Sequence, residues 1–204
     1  MSIVTVIGGG SWGSGISLLL SDNHHKVKIY DVNKDLINEI NENHTNEKYL
    51  PGAILPDNIT GYNDLTLALK ESDVVVMVVP TKVIREALKN VNKVLDHPVI
   101  FVNASKGIEP DTFKRVSEIV REEISPEKIT GFAVLTGPSH AEEVIKRQLT
   151  SVAVASDDLK IAKTIQLLFN NEKYFRVYTL NDLIGAELGG SLKNIIALAV
   201  GILD

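Results

Sequence analysis

The stretch that decides the fold is residues 3–20, IVTVIGGGSWGSGISLLL. A G-x-G-x-x-G pattern, formed by Gly8, Gly10 and Gly13, lies directly between an apolar, strand-like run and a helical one. Glycines at these positions permit a tight turn, let the backbone approach a pyrophosphate and allow close packing of helix on strand. The phosphate then lies at the helix N-terminus, beside Ser11. The stretch predicts the first unit of a dinucleotide-binding fold.

Short apolar runs alternate with helical patterns along the rest of the chain. The later strand-like runs are KVKIYDV, VVVMVVP, VIFVNAS, FAVLTG, TSVAVAS and FRVYTL. Their mostly continuous hydrophobicity indicates strands covered on both faces, and so an α/β, Rossmann-like, mostly parallel sheet with flanking helices. Helices are predicted near residues 12–21, 34–43, 83–94, 112–123 and 158–169. Residues 46–61 form a long loop, a candidate flap. A boundary near Leu180 separates a dinucleotide-binding domain, residues 1–180, from residues 181–204.

Asp31 stands at the end of the second predicted strand. A carboxylate at this position accepts hydrogen bonds from ribose hydroxyls and repels a 2′-phosphate, so NAD is favoured over NADP. Asn33 and Lys34 follow it and would soften this discrimination. The alternative is that Asp31 only caps the following turn or helix.

Lys106 follows the strand-like run VIFV, and Gly137 and Ser139 follow FAVLT. Open α/β folds bind ligands at the carboxyl ends of their strands. We therefore expect these residues to lie in one crevice with the glycine turn, residues 8–13. Ser139 with Glu142 also makes a capping box, and the alternative is that Ser139 only starts a helix.

Residues 183–204, LIGAELGGSLKNIIALAVGILD, predict a helix that is apolar nearly all round yet carries Lys193. A helical side chain leans over the preceding turn, so Lys193 would lie across Gly189 and Gly190, where missing side chains leave room for a ligand. We expect Glu187 and Asn194, about two turns apart on one face, to accompany a buried lysine. The alternative is helix packing through glycine, with Lys193 reaching to water.

Composition argues against several classes of function. The net charge is −5 and no basic run occurs, so neither a nucleic-acid groove nor an anionic membrane partner is predicted. The absence of cysteine excludes thiolate chemistry and fits a reducing cytoplasm. The five histidines show no ligand spacing, so no metal is expected. A strand beginning at Ile3 and short apolar runs predict neither a signal peptide nor a membrane span.

Taken in order, the segments GGGSWGSGIS, YLPG, NASKGIE, LTGPSHAEEV, FRVYTLND and IGAELGGSLKNIIALAVGI resemble the bacterial type of NAD(P)-dependent glycerol-3-phosphate dehydrogenase. The last two segments are the most specific. The resemblance implies that the dinucleotide is bound by the glycine turn and by Ser11, Trp12, Asp31, Val32, Lys106 and Ala141. It implies that the substrate is bound by Lys106, Gly137, Ser139, Lys193 and Asn194. Lys193 matches the catalytic lysine of the family.

The resemblance implies reduction of dihydroxyacetone phosphate to sn-glycerol 3-phosphate with NAD(P)H, for phospholipid synthesis. It also implies a homo-oligomer and a helical C-terminal domain of which residues 181–204 would be only the first helix. A chain ending at Asp204 would then be truncated and of doubtful activity, associating through its exposed last helix. The alternatives are a hydroxyacid dehydrogenase of the 6-phosphogluconate type and a dinucleotide-binding module without chemistry.

Overall fold

The computed structural model describes residues 1–203, apart from the side chains of Asn194 and Leu203. Within this range the strands are β1 Ile3–Ile7, β2 Lys26–Tyr30, β3 Ile59–Tyr62, β4 Val74–Met77, β5 Val99–Asn103, β6 Ile129–Thr136, β7 Thr150–Ala155 and β8 Phe175–Leu180. The helices are α1 Ser11–Asp22, α2 Lys34–Asn43, α3 Leu65–Leu69, α4 Thr81–Val94, α5 Val116–Glu123, α6 Ala141–Ile145, α7 Leu159–Phe169 and α8 Leu183–Leu203, with a 3₁₀ turn at Pro126–Lys128.

All the strands join one sheet in the order β3-β2-β1-β4-β5-β6-β7-β8. The six strands β1 to β6 are parallel, β7 runs antiparallel to β6, and β8 is parallel to β7. The predicted Rossmann-like, mostly parallel sheet is therefore confirmed. The carboxyl ends of β1 to β6 meet at one edge of the sheet, whereas β7 and β8 end toward the other edge.

The sheet is covered by helices on both faces, which explains the continuous apolar runs. In β4, Val74 and Val76 belong to the core that packs with α1, α2 and α7, whereas Val75 and Met77 belong to the core that packs with α4 and α5. Successive strand residues point to opposite faces, so a strand covered on both sides is apolar at every position. The carboxyl edge of the parallel strands is thus part of a sheet that is packed on both faces.

The reversal of β7 and β8 sets the course of α8. Because β8 ends toward the far edge, α8 runs back beside β6, with Leu183 and Ala186 packed on Val134 and Ala155. Lys193 lies ten residues after Leu183, about 15 Å along a helix axis. This rise carries the lysine to the edge where β6 ends.

Three local features differ from the sequence prediction. The helix predicted for residues 112–123 begins at Val116, because Asp111 and Phe113 adopt left-handed φ values of 69° and 57° and form a loop instead. The predicted loop 46–61 leads into a short edge strand, β3. The five-residue helix α3 was also not predicted.

None of the single helices described in residues 1–203 is long and apolar enough to cross a membrane. Two helical segments, Leu183–Lys193 and Ile195–Ile202, are bent by 46° relative to each other. Together they are long and apolar enough to cross a membrane by length and composition alone.

Candidate active site

Three neighbouring cavities line the carboxyl edge of the parallel strands. They measure about 530, 450 and 660 Å³. Gly10 lines both the first and the second, and Lys106 lines both the second and the third. The cavities therefore form one track that runs from the end of β2, past the glycine turn, to α8. Apart from Asn194, whose side chain lies outside the described residues, every predicted site residue lines this track.

The glycine turn is built by close backbone contacts. Gly8 has a φ of +113°, and a Cβ there would lie 2.4 Å from the carbonyl oxygen of Val78. A Cβ on Gly13 would lie 1.9 Å from the carbonyl oxygen of Gly8. A Cβ on Gly10 would meet no atom within 4 Å, since Gly10 faces the open track. The turn therefore presents bare backbone to a ligand at the N-terminus of α1, as a pyrophosphate requires.

Asp31 lines the 530 Å³ cavity with Val32 and also fixes the adjacent backbone. One carboxylate oxygen accepts the amide of Gly9 at 2.8 Å, and the other accepts the amide of Asn33 at 2.9 Å. The capping contact is therefore present. It does not exclude ribose binding, because each carboxylate oxygen can accept a second hydrogen bond.

The segment that follows α2 lies against the glycine turn. The hydroxyl of Ser11 donates to the carbonyl oxygen of Tyr49 at 3.0 Å. The fully buried Asn46 amide donates to the carbonyl oxygen of Gly9 at 2.8 Å and to the Ser14 hydroxyl at 2.7 Å. Sequence reasoning predicted a flap here but missed Asn46, because its partners lie more than 30 residues away.

The 450 Å³ cavity contains both the start of α1 and the start of α6. It is lined by Ser11, Trp12, Gly13, Lys106, Ser139 and Ala141, among others. Ser139 does not form the predicted capping box, because His140 occupies the N-cap position of α6 and makes no side-chain cap. Ser139 is 7% exposed, and its amide donates to the carbonyl oxygen of Gly137 at 3.0 Å. Its hydroxyl thus takes no part in capping α6.

The 660 Å³ cavity lies between the Lys106 loop, the end of β6 and α8. Lys106, Gly137 and Lys193 all line it. Partial desolvation by the cavity walls, and then the positive charge of Lys193, lower the pKa of the Lys106 ammonium. Two cationic side chains facing one cavity suit an anionic, phosphorylated ligand.

The two glycines before Lys193 have different surroundings. A Cβ on Gly190 would lie 2.8 Å from the Thr136 hydroxyl oxygen, so this glycine permits close packing of α8 on β6. A Cβ on Gly189 would meet no atom within 4 Å, and Gly189 lines the 660 Å³ cavity. The packing interpretation is correct for Gly190, and the room predicted for a ligand is found at Gly189.

The surroundings predicted for Lys193 are partly wrong. Lys193 is exposed rather than buried. Glu187 accepts hydrogen bonds from the amide and the hydroxyl of Ser117, at 2.9 and 2.6 Å, and from the Arg115 guanidinium at 3.1 Å. The helical spacing could not reveal these partners, because they lie at the start of α5, far away along the chain.

The loop that carries Lys106 is anchored by an ion pair that sequence reasoning missed. The Arg85 guanidinium on α4 donates to both carboxylate oxygens of Glu109, at 2.8 and 2.7 Å. Arg85 also contacts Glu122 and Glu123. Hydrogen bonding to Arg85 lowers the pKa of Glu109 to about 2. The loop is therefore fixed to α4 three residues beyond Lys106.

A family model described as NAD-dependent glycerol-3-phosphate dehydrogenase N-terminus matches residues 3–162. The chain belongs to this family. It is 54% identical over its whole length to a glycerol-3-phosphate dehydrogenase [NAD(P)+] of Geobacillus thermodenitrificans and 51% identical to that of Bacillus cytotoxicus. It spans 59% and 60% of the lengths of these two relatives.

Solved glycerol-3-phosphate dehydrogenases have the same fold. The structure from Coxiella burnetii superposes with a TM-score of 0.89 at 30% identity, covering 98% of this chain and 60% of that one. The structure from Saccharomyces cerevisiae gives a TM-score of 0.84 at 28% identity, covering 98% and 62%. The family predicted from the motifs is therefore confirmed.

Proposed function

We propose that this chain binds NAD or NADP and serves in the interconversion of dihydroxyacetone phosphate and sn-glycerol 3-phosphate. The observation that carries the proposal is the continuous track from the glycine turn to the cavity that Lys106 and Lys193 share. The names of the relatives, glycerol-3-phosphate dehydrogenase [NAD(P)+], supply the substrate and the cofactor. The location proposed for this activity is the cytoplasm, where phospholipid precursors would be made.

The residues at the glycine turn fit a dinucleotide. The open space at Gly10 and the bare backbone between Gly8 and Gly13 would hold the pyrophosphate, and Asp31 would accept the ribose hydroxyls. Because the Asp31 carboxylate would repel a 2′-phosphate, NAD is the favoured cofactor. When bound, the reduced nicotinamide supplies a hydride to the C2 carbonyl carbon.

The proposed role of Lys193 is to hold and then donate a proton. Its ammonium would hydrogen-bond to the C2 carbonyl oxygen and transfer a proton to it as the alcohol forms, leaving a neutral amine. Lys106, on the opposite wall, would hold the substrate phosphate and keep it beside the cofactor. In the reverse direction the neutral Lys193 amine would accept the proton from the alcohol.

The first experiment titrates the protein with NADH and with NADPH. We expect tighter binding of NADH by about tenfold, a difference of about 1.4 kcal/mol. Equal or reversed affinities would contradict the role of Asp31.

The second experiment compares Lys193→Ala with Lys163→Ala. The second variant is the matched control, because Lys163 is an exposed lysine on α7. Measured in the intact enzyme, Lys193→Ala should lower turnover of dihydroxyacetone phosphate on the order of 10²–10⁴-fold. NADH affinity should stay the same, because Lys193 lies beyond the first two cavities. Turnover that survives Lys193→Ala would mean that this lysine serves only packing or solubility. A wild-type protein that binds NADH but shows no turnover would favour a non-catalytic binding module.

A further inference from the structure

The first half of α8 is anchored to the rest of the protein, whereas the described side chains between Ile195 and Ile202 are exposed. Leu183 and Ala186 are buried against the sheet, and Gly190 lies against Thr136. Beyond the lysine, the described side chains are largely exposed: Ile195, Ile196, Leu198, Val200 and Ile202. The position of Lys193 therefore depends on contacts made by the turns that precede it.

Among the charged side chains described in α8, Glu187 is the one that is buried. Its side chain is 4% exposed, and its carboxylate accepts three hydrogen bonds, two from Ser117 and one from Arg115. These donors surround the N-terminus of α5, where the helix dipole also favours negative charge. Charge-assisted hydrogen bonds of this kind compensate for the removal of a carboxylate from water.

The start of α5 is also the end of the loop that carries Lys106. Arg115 precedes the first residue of α5, and the loop is held to α4 by the pair of Arg85 with Glu109. Lys106 is thus placed on a loop anchored at two points. One of these anchors, at Arg115, is shared with the helix that carries Lys193.

We propose that Glu187 is a positioning residue, which fixes Lys193 relative to Lys106 by bonding α8 to the N-terminus of α5. The proposal rests on the function proposed above. Glu187 lies six residues before Lys193, about 9 Å along the helix axis. The apolar contacts of Leu183 and Ala186 are non-directional, whereas the hydrogen bonds of Glu187 fix direction and distance.

The experiment measures the reactivity of Lys106 in Glu187→Gln. Each lysine is labelled with a trace of acetic anhydride across a pH series, and the labelled peptides are quantified by mass spectrometry. Partial desolvation and the charge of Lys193 lower the Lys106 pKa, so a displaced α8 should raise it toward that of an ordinary lysine. Labelling of Lys106 at mildly alkaline pH should therefore fall severalfold relative to the exposed Lys163.

The matched control is Asp182→Asn, which makes the same change of carboxylate to amide at the start of the same helix. Asp182 accepts the Gly185 amide at 2.8 Å, and asparagine caps a helix equally well, so the labelling profile of Lys106 should not change. A Lys106 profile in Glu187→Gln that equals the wild-type profile, with NADH affinity intact, would overturn the proposal.

A second variant, Ser117→Ala, approaches the same contact from α5 and covers the case in which Glu187→Gln does not fold. It removes one of the three hydrogen bonds and should shift Lys106 labelling in the same direction by a smaller amount. No shift in this folded variant would also count against the proposal.

Kinetics separate the failure of this proposal from the failure of the proposed function. A misplacement of about 1 Å costs on the order of 10²-fold in rate, so kcat should fall in Glu187→Gln while NADH affinity is retained. A wild-type protein that binds no NADH would contradict the proposed function, whereas the labelling comparison would still test the role of Glu187.

Discussion

Two pairs of glycines lie on opposite sides of the candidate site and have different physical roles. In the β1–α1 turn, Cβ atoms on Gly8 and Gly13 would collide with backbone carbonyl oxygens at 2.4 and 1.9 Å. In α8, a Cβ on Gly190 would meet a side-chain hydroxyl at 2.8 Å, and one on Gly189 would meet nothing. Gly8 and Gly13 of the β1–α1 turn are therefore required by backbone contacts. The one close contact of the α8 pair is with a side chain, which a second substitution can remove.

The largest effect is expected from Gly8→Ala. Its φ of +113° is strained for any side chain, and a Cβ would lie 2.4 Å from the carbonyl oxygen of Val78, whose amide donates to the Ile7 carbonyl oxygen. Backbone strain of about 1–2 kcal/mol and overpacking of about 1–3 kcal/mol predict a severe loss of stability, measured by urea unfolding.

Gly10→Ala is the control for the same turn. A Cβ at Gly10 meets no protein atom, so stability should fall far less than in Gly8→Ala, while the new methyl group enters the track and weakens NADH binding. Equal destabilisation by both variants would contradict the distinction between a backbone-locked glycine and an open one.

A smaller effect is expected from Gly190→Ala. The new Cβ overlaps the Thr136 hydroxyl, which predicts a loss of about 1–3 kcal/mol in the free energy of unfolding. Adding Thr136→Ala removes that oxygen and should restore most of the stability. The failure of this rescue would mean that Gly190 is needed for another reason.

Gly189→Ala tests the open member of the pair. Alanine is favoured over glycine in a helix by up to about 1 kcal/mol, so unfolding should be unchanged or slightly harder. The methyl group enters the 660 Å³ cavity, and the KM for dihydroxyacetone phosphate should rise. Loss of stability without a change in KM would contradict the assignment of Gly189 to the cavity.

A pH-dependent effect is expected in the Lys106 loop, which lies between the two glycine regions. The pKa of Glu109 is lowered from its ordinary 4.5 to about 2 by hydrogen bonding to Arg85. The stability that Glu109 adds should therefore be complete above pH 4.5 and be lost as the pH falls toward 2. The difference in urea midpoint between wild type and Glu109→Gln should shrink over this window, and a pH-independent difference would contradict the ion pair.

Local patterns predicted much of the fold. The glycine turn and the helix Lys34–Asn43 were found as predicted, because strand, turn and helix signals lie within a few residues of one another. The reversed direction of β7 was not predicted, since an apolar run reads the same in either direction. The strand Ile59–Tyr62 was missed because it has only four residues, lies at the sheet edge and alternates in burial.

Sequence patterns identified the candidate site residues whose role depends on residue type. They missed the residues whose role depends on partners far away along the chain. Lys106 and Lys193 could be selected because cations at a strand end and beside helical glycines suit an anionic ligand. The contacts of Glu187 could not be predicted, because Ser117 lies 70 residues away along the chain. Helical spacing identifies which residues share a face but not what that face meets.

The return course of α8 along β6 makes chain length a functional quantity. One residue inserted between Leu183 and Lys193 would turn the lysine by about 100° around the axis and advance it by about 1.5 Å. The same insertion in the exposed turn around Gly52 would be absorbed locally. Insertions and deletions should therefore be tolerated very unevenly, and the α8 segment should evolve by substitution while keeping a constant number of residues.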